Sequence, residues 1–223
     1  MDELLSEKEQ LEQMRTWWSE YGRYVIAGVV IAVGSLVGVN QYNNRTHDAQ
    51  VAASELYETL AEHVSNGDLA EAESVADELA SEFAKTTYVA QSKLAMARLY
   101  MDKNQDEDAA DALRELLELR GNDELKHIGR LRLARILLYQ DKAEDVVALL
   151  EQQEASAFAA LNSELLGDAY LALGQVEEAG AAYRKALADP AEVPTIDRAI
   201  VQMKLSDLPA AVSVPGAEVG VTE

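Results

Sequence analysis

The chain has 223 residues, no cysteine and a formal net charge of −21. A protein this acidic repels phosphate backbones and anionic lipid headgroups, so its charge argues against a nucleic-acid partner. The length suits one domain with a sizeable core, and a composition dense in Ala, Leu and Glu, with only 6% aromatic residues, favours helices over strands.

An acidic arm, residues 1–23, opens the chain. It can form a helix that carries its large apolar side chains on one face. Helices that lie on membranes usually have basic polar faces, so the acidity argues against binding to the membrane surface. The arm helix either docks on a partner protein or simply continues the helix of the following segment. The apolar positions on the shared face are Leu4, Leu11, Met14, Trp18 and Tyr21.

The most apolar stretch is residues 24–44, a run of 21 residues without a formal charge. A helix of that length spans about 31 Å, close to the thickness of the hydrocarbon core of a bilayer. Trp17, Trp18 and Tyr42 flank the run, as aromatic rings do at membrane interfaces. A signal peptide would have a short basic start and a small-x-small cleavage site, and a soluble core helix is rarely apolar on every face. We therefore expect an uncleaved transmembrane helix.

Basic residues around this run predict its orientation. Lys8, Arg15 and Arg23 precede it, whereas Arg45 alone follows it closely. Because Lys and Arg favour the cytoplasmic side, we expect the N-terminus in the cytoplasm. A single-pass protein of the bacterial inner membrane, with its C-terminal domain in the periplasm, is the corresponding localisation.

Small residues within the run predict a contact between membrane helices. Gly34 and Gly38 form a G-x-x-x-G pair, and Gly28 with Ala32 forms a second pair of small residues. Small side chains at this spacing let two helices approach closely in lipid, where van der Waals packing favours association.

Residues 166–190 follow the tetratricopeptide pattern, in which a tight turn joins two packed helices. Small residues on both helices permit a close approach, aromatic rings fill the space beside them, and a glycine takes the turn. The position that usually holds Trp is Ser163. The residues that carry the pattern are Gly167, Tyr170, Gly174, Ala179, Tyr183 and Ala186.

The same frame, a turn residue followed five positions later by a small residue, recurs upstream. The pairs are Gly67 with Ala72, Asn104 with Ala109 and, as a degenerate copy, Asp141 with Val146. Turns at 67, 104, 141 and 174 are separated by 37, 37 and 33 residues, close to the repeat length of 34. We therefore predict an all-α fold, with one N-terminal transmembrane helix and a tetratricopeptide-like solenoid of three to four hairpins in residues 45–208. Generic helical hairpins with a coincidental spacing are the alternative.

The C-terminal part completes the predicted domain. Residues 196–205 have a helical pattern and would cover the last hairpin, as the ends of solenoids require. From residue 209 to residue 223 the composition shifts to Ala, Val, Pro, Gly and Ser without a period, which predicts a disordered tail.

Motifs of catalysis are missing from the sequence. His47, His63 and His127 are scattered, and there is no cysteine, nucleophile elbow, phosphate-binding loop or dinucleotide fingerprint. Neighbouring carboxylates on helices this acidic are far more often a solvated surface than an acid–base pair. We expect a binding protein that is not an enzyme and has no metal or cofactor.

The first helices of stacked hairpins line a groove, and we expect a partner to bind there. Apolar residues beside single charges suit an extended peptide or a partner helix. Alternatively, these apolar residues pack against the next hairpin, or the N-terminal helix folds into the groove. The predicted groove positions are Leu94, Arg98, Met101 and Asp102 in the second hairpin, Ile128, Leu131, Arg135, Leu138 and Tyr139 in the third, and Glu164, Asp168, Leu171 and Ala172 in the fourth.

Several segments together resemble the ancillary SecYEG translocon subunits, the YfgM-type proteins of Gram-negative bacteria. Their order and spacing carry the resemblance, which runs from the arm to about Leu208. The segments are Trp17-Trp18 in the acidic arm, the Gly-rich apolar run, Tyr42-Asn43-Asn44, Leu131-Arg132-Leu133-Ala134-Arg135 and Val201-Gln202-Met203-Lys204-Leu205.

This resemblance implies an inner-membrane protein with a periplasmic tetratricopeptide-like domain. It also implies association with the SecYEG channel and with the membrane-anchored periplasmic chaperone PpiD, and help for unfolded exported proteins on their way to periplasmic chaperones. The alternative function is a structural scaffold for envelope assembly or cell division that binds one fixed partner.

Overall fold

The computed structural model describes residues 7–151, 157–189 and 195–209, with side chains from residue 10 onward. Within these ranges the chain forms nine helices and no strand, which confirms the predicted all-α fold class. Two compact units, Met1–Ala52 and Ala53–Glu223, divide the chain. The helices are α1 (Glu7–Asn66), α2 (Leu69–Glu82), α3 (Thr87–Asp102), α4 (Asp106–Glu118), α5 (Asp123–Tyr139), α6 (Ala143–Leu150), α7 (Ala159–Ala172), α8 (Val176–Leu187) and α9 (Arg198–Ser206).

Helix α1 is continuous over 60 residues and contains the apolar run. Its most apolar window has a mean hydropathy of 1.9 and is 6% buried, so α1 is long and apolar enough to cross a membrane. Ile31 and Leu36 in this run are 68% and 70% exposed, which differs from a helix packed in a soluble core. The polar residues 40–48 end the apolar run without ending the helix, because no Pro or Gly interrupts α1 there.

The described residues of the second unit form four helical hairpins and a closing helix. Side chains of α1 from Ala53 onward share a buried cluster with α2, and α3 pairs with α4, α5 with α6 and α7 with α8. Successive hairpins pack through α2 and α3, α4 and α5, and α6 and α7, and α9 packs on α8. This arrangement gives four hairpins where the sequence predicted three to four.

All four turns within hairpins have the same backbone conformation. Gly67, Asn104, Asp141 and Gly174 have positive φ angles of 78°, 58°, 58° and 75°. In each turn the following residue donates its backbone N–H to the carbonyl five residues before it, which is the Schellman closure of a helix. These bonds run from Asp68 to His63 (2.9 Å), from Gln105 to Tyr100 (2.8 Å), from Lys142 to Leu137 (2.8 Å) and from Gln175 to Tyr170 (2.8 Å).

The core of the second unit lies between the two helices of each hairpin and between neighbouring hairpins. The residue five positions after each turn is fully buried, at Ala72, Ala109, Val146 and Ala179. The largest cluster joins the second, third and fourth hairpins, and includes Leu113, Leu116, Ala134, Leu137 and Leu165. The degenerate third repeat therefore packs in the same frame as the others.

Gly167 and Tyr183 bring α7 and α8 together. Tyr183 is fully buried, and its hydroxyl donates to Asp168 Oδ1 at 2.7 Å. A Cβ atom on Gly167 would overlap ring carbons of Tyr183. Glycine at this position therefore allows the ring to lie directly on the backbone of α7.

Helix α9 closes the solenoid at its C-terminal end. The Asp197 carboxylate caps it by accepting hydrogen bonds from the backbone N–H groups of Ala199 and Ile200, and Val201 is fully buried against the fourth hairpin. The predicted disorder of residues 209–223 falls, after residue 209, outside the described residues. Leu4 in the predicted arm helix also lies outside them.

Candidate partner groove

Two adjoining clefts lie between the first helices of the hairpins. The larger has a volume of about 550 Å³ and lies between α1, α3 and α5, where Tyr57, Val64 and Leu94 contribute to its wall. The smaller, about 280 Å³, lies between α3 and α5. Arg98 and Arg132 line both clefts, so the two form one continuous surface, which we call the groove.

Three arginines line the groove. Arg98 is exposed and lies 3.8 Å from Asp102, measured from its Nε to Oδ2. Arg132 Nη1 donates to the backbone oxygen of Leu94 at 3.3 Å, which directs this side chain of α5 back toward α3. Arg135, one helical turn further along α5, is exposed at the smaller cleft.

The structure brings some of the predicted groove residues together and separates others. Arg98, Met101, Asp102 and Arg135 line the smaller cleft, over a floor that includes the buried Ile136. The smaller cleft therefore combines an apolar floor with a basic rim, an arrangement that suits ligands with both apolar and charged groups.

Leu94 and Leu131 contribute mainly to the core. Their exposed fractions are 8% and 4%, so they offer little surface to a partner. Tyr139 and Leu171, by contrast, are 72% and 38% exposed at the ends of α5 and α7, outside both clefts. The positions that are half-buried outside both clefts are Ile128, Leu138 and Glu164, and Ala172 is exposed.

Asp168 belongs to an ionic cluster that holds α9. Lys204 Nζ donates to Glu164 Oε1 at 2.9 Å and to Asp168 Oδ2 at 2.8 Å. Burial lowers the pKa of Lys204, but the hydrogen bonds and negative charges of the two carboxylates outweigh it, so the pKa lies above its ordinary value. For Tyr183, burial raises the pKa, and the hydrogen bond to Asp168 raises it further. These carboxylates are therefore engaged within the domain.

A third cleft, of about 460 Å³, lies between α2, α3 and α4, and half of its lining residues are acidic. Within it Tyr100 donates its hydroxyl to Glu73 Oε1 at 2.9 Å. Burial and this carboxylate both raise the pKa of Tyr100. Across the described ranges, no group of three or more His, Asp or Glu side chains is arranged to hold a metal ion.

Sequence reasoning missed Arg132 and the part that the first hairpin plays in the groove. Arg132 lies three residues before Arg135 on α5, and side chains at that spacing share a helix face. The spacing of Arg132 from Arg135 could therefore have placed Arg132 in the groove from the sequence alone. Tyr57 and Val64 lie at the same distances before their turn as Leu94 and Met101 do, so the repeat frame would have found them.

The small residues of the apolar run are open to a neighbour. Apart from adjacent residues and the backbone of α1 itself, a Cβ atom added at Gly28, Gly34 or Gly38 would meet no atom of the described chain within 4 Å, and Ala32 is exposed. Space for a second helix is therefore present along α1 at these positions.

Comparison with known proteins gives relatives over nearly the whole chain. The ancillary SecYEG translocon subunit of Escherichia coli (strain K12) is 29% identical over 203 residues, which cover 91% of this chain and 97% of the relative. Proteins of the same name from Aggregatibacter actinomycetemcomitans and Haemophilus influenzae are each 24% identical, and each match covers 92% of this chain and 98% of the relative. No solved structure matches.

A family model described as tetratricopeptide repeat-like domain matches residues 15–210. That match includes the apolar run, all four hairpins and α9. It agrees with the turn geometry and with the relatives, and it confirms the resemblance seen in the sequence. The chain therefore belongs to the tetratricopeptide repeat-like domain family and groups there with the ancillary SecYEG translocon subunits.

Proposed function

We propose that this chain is a non-enzymatic, membrane-anchored adaptor of the Sec translocon. The observation that carries the proposal is the match to ancillary SecYEG translocon subunits over 91% of the chain and 97% of the relative. A match of that extent takes in both the apolar run and the repeats of this chain, which supports a role for the whole chain and not for the repeats alone.

In this proposal the domain lies on the periplasmic side. The excess of Lys and Arg before the apolar run supports that orientation. The chain has no native cysteine, so one introduced cysteine reports its own side of the membrane. In intact cells, a membrane-impermeant maleimide should label Arg120→Cys and leave Thr16→Cys unlabelled, and the reverse pattern would overturn the orientation.

The partners in this proposal are the SecYEG channel and the periplasmic chaperone PpiD, to which newly exported proteins would be passed. Purification of the full chain in mild detergent, from cells that express it at its native level, tests this association. Recovery of the channel together with the chaperone is the expected result. If the channel is absent from repeated purifications, the proposed function is wrong.

A scaffold with one fixed, folded partner is the second candidate, and one observation favours it. Leu94 and Leu131, two apolar residues predicted to face a partner, are almost fully buried, which reduces the apolar surface available to an unfolded chain. An aggregation assay with a chemically denatured client separates the two. An adaptor that holds unfolded chains should delay light scattering, whereas a scaffold should leave it unchanged.

A further inference from the structure

The groove has a basic rim in a chain whose net charge is −21. Arg98, Arg132 and Arg135 line the two clefts, and Asp102 is the acidic residue beside them. We propose that the groove binds a partner segment in which carboxylates flank a large apolar side chain. This inference rests on the proposed function, since it names the chemistry of the segment that an adaptor would bind.

The arginines keep most of their hydrogen-bonding capacity for a ligand. Arg98 shares an exposed ion pair with Asp102 at 3.8 Å, a distance and exposure at which such pairs contribute little. Arg132 donates one N–H group to the carbonyl of Leu94 and retains the others of its guanidinium. Guanidinium groups bind carboxylates through two parallel hydrogen bonds, which makes arginine well suited to this recognition.

The floor of the smaller cleft supplies the apolar part of the site. Met101 is half-buried there, and Ala97, Leu113 and Ile136 form a buried surface beneath the arginines. A cleft of about 280 Å³ can hold one large apolar side chain of the partner segment. The arginines at its rim would then lie beside the carboxylates that flank this side chain. Methionine adapts its shape to different apolar groups, so leucine, isoleucine or phenylalanine would all fit this chemistry.

The charge distribution favours a short acidic segment over a long polyanion. Each phosphate of a nucleic acid that extends beyond the groove would meet the acidic remainder of the surface. At the fourth hairpin, Lys204 forms ion pairs with both Glu164 and Asp168, so it offsets one of their two negative charges. One or two carboxylates beside an apolar residue match the extent of the basic rim.

Short fluorescent peptides test the proposal with the full chain in non-ionic detergent. One peptide alternates leucine with aspartate, a second alternates leucine with serine, and a third alternates leucine with lysine. By fluorescence anisotropy, the aspartate peptide should bind about tenfold more tightly than the serine peptide at low salt, and this advantage should shrink at high salt. Equal affinity for the aspartate and serine peptides would overturn the inference.

Two double variants that each remove two positive charges localise the effect. Arg98→Gln with Arg135→Gln should abolish the advantage of the aspartate peptide, whereas Lys85→Gln with Arg120→Gln, in exposed loops outside the groove, should preserve it. Arg98→Glu with Arg135→Glu should transfer the advantage to the lysine peptide, a gain that misfolding cannot produce. Equal losses in both glutamine variants, or equally tight binding of a single-stranded DNA oligonucleotide through the same arginines, would overturn the proposal.

Failure of this inference is distinguishable from failure of the proposed function. A wild-type chain that copurifies with the channel but binds all peptides equally contradicts the groove chemistry alone. A chain that prefers the aspartate peptide but never copurifies with the channel contradicts the translocon association and leaves the groove chemistry in place.

Discussion

Single residues determine how closely the two helices of a hairpin approach. At Gly167 the absence of a side chain lets the ring of Tyr183 lie on the backbone of α7. The Tyr183 hydroxyl donates a hydrogen bond to Asp168, which is also on α7. The pattern in the sequence indicated this pair, because a small residue and an aromatic ring recur at fixed positions in tetratricopeptide repeats. The ionic contact of Asp168 with Lys204 was not predictable, since 36 residues separate the two in sequence.

Replacing Gly167 by alanine should destabilise the domain by about 1–3 kcal/mol, because the new methyl group has no room beside the buried ring. Thermal unfolding of the full chain in detergent, followed by circular dichroism, measures the change. The matched control is Gly180→Ala on α8, where the nearest atoms to an added Cβ are the far ends of the Arg184 and Leu208 side chains, at 3.2 Å. That variant should be neutral or more stable, because alanine is the better helix former. Equal effects of the two variants would contradict this account of the packing.

Tyr183 and Tyr100 should make the domain sensitive to alkaline pH. Burial, followed by the neighbouring carboxylate, raises the pKa of each hydroxyl in the folded state. In the unfolded state both ionise near the ordinary tyrosine value of about 10, so the folded state binds more protons above that pH. Stability is therefore fully present below about pH 10 and falls as the pH rises further.

Urea unfolding at a series of pH values from neutral to strongly alkaline measures this loss. Tyr183→Phe should make the decline above about pH 10 shallower, and addition of Tyr100→Phe should flatten it further. Both variants lose a hydrogen bond at neutral pH, so the slope with pH is the relevant quantity. An unchanged slope in the double variant would show that other groups cause the alkaline unfolding.

At the scale of elements, α1 differs most from its sequence-based description. The apolar run, its length and its aromatic flanks were recognisable, because composition reports hydrophobicity directly. Its continuity through residues 40–48 was harder to predict, since those polar residues have moderate helix propensity and only the absence of Pro and Gly favours the helix. Interruption of an apolar pattern and interruption of a helix are separate events.

Helix geometry assigns the small residues of α1 to two faces. At 3.6 residues per turn, Gly28 and Ala32 lie about 120° around the helix from Gly34 and Gly38. A single neighbouring helix can therefore pack closely against only one of the two pairs. Cross-linking distinguishes a contact through Gly34 and Gly38 from one through Gly28 and Ala32.

Gly34→Cys and Gly38→Cys should capture a neighbouring membrane helix when membranes are treated with a thiol cross-linker, since small residues allow the closest approach. Leu36→Cys, on roughly the opposite side of α1, is the matched control and should capture much less. Gly28→Cys tests the second face. Equal capture at all positions, or none at any, would contradict a specific contact through the G-x-x-x-G face.

At the scale of the whole molecule, the repeat frame was the most predictable property. A turn residue and a small residue five positions later were enough to place all four hairpins, including the degenerate third one. The groove was predictable only in part. Periodicity assigns Leu94 and Leu131 to the inner helices, but it does not report how far the next hairpin covers them. That burial depends on the packing between repeats, which no local pattern encodes.

Because the largest buried cluster joins the second, third and fourth hairpins, stability should be greatest there and lowest at α9. Hydrogen exchange of the full chain in detergent should show slower exchange at Leu116 and Leu137 than in α9. Leu113→Ala should accelerate exchange in the second and third hairpins, whereas Val201→Ala should act mainly on α8 and α9. The same acceleration everywhere, in both variants, would indicate one cooperative unit and contradict a graded solenoid.

The four turns have a consequence for how this sequence can diverge. Each is closed by backbone hydrogen bonds, and the position with positive φ accepts Gly, Asn or Asp. A lineage can therefore exchange most side chains of a repeat while every hairpin persists, as Asp141 and Val146 illustrate. This tolerance is consistent with relatives that share 24% to 29% identity yet align over more than nine-tenths of the chain. Searches that depend on consensus residues will count fewer repeats in such proteins than their backbones contain.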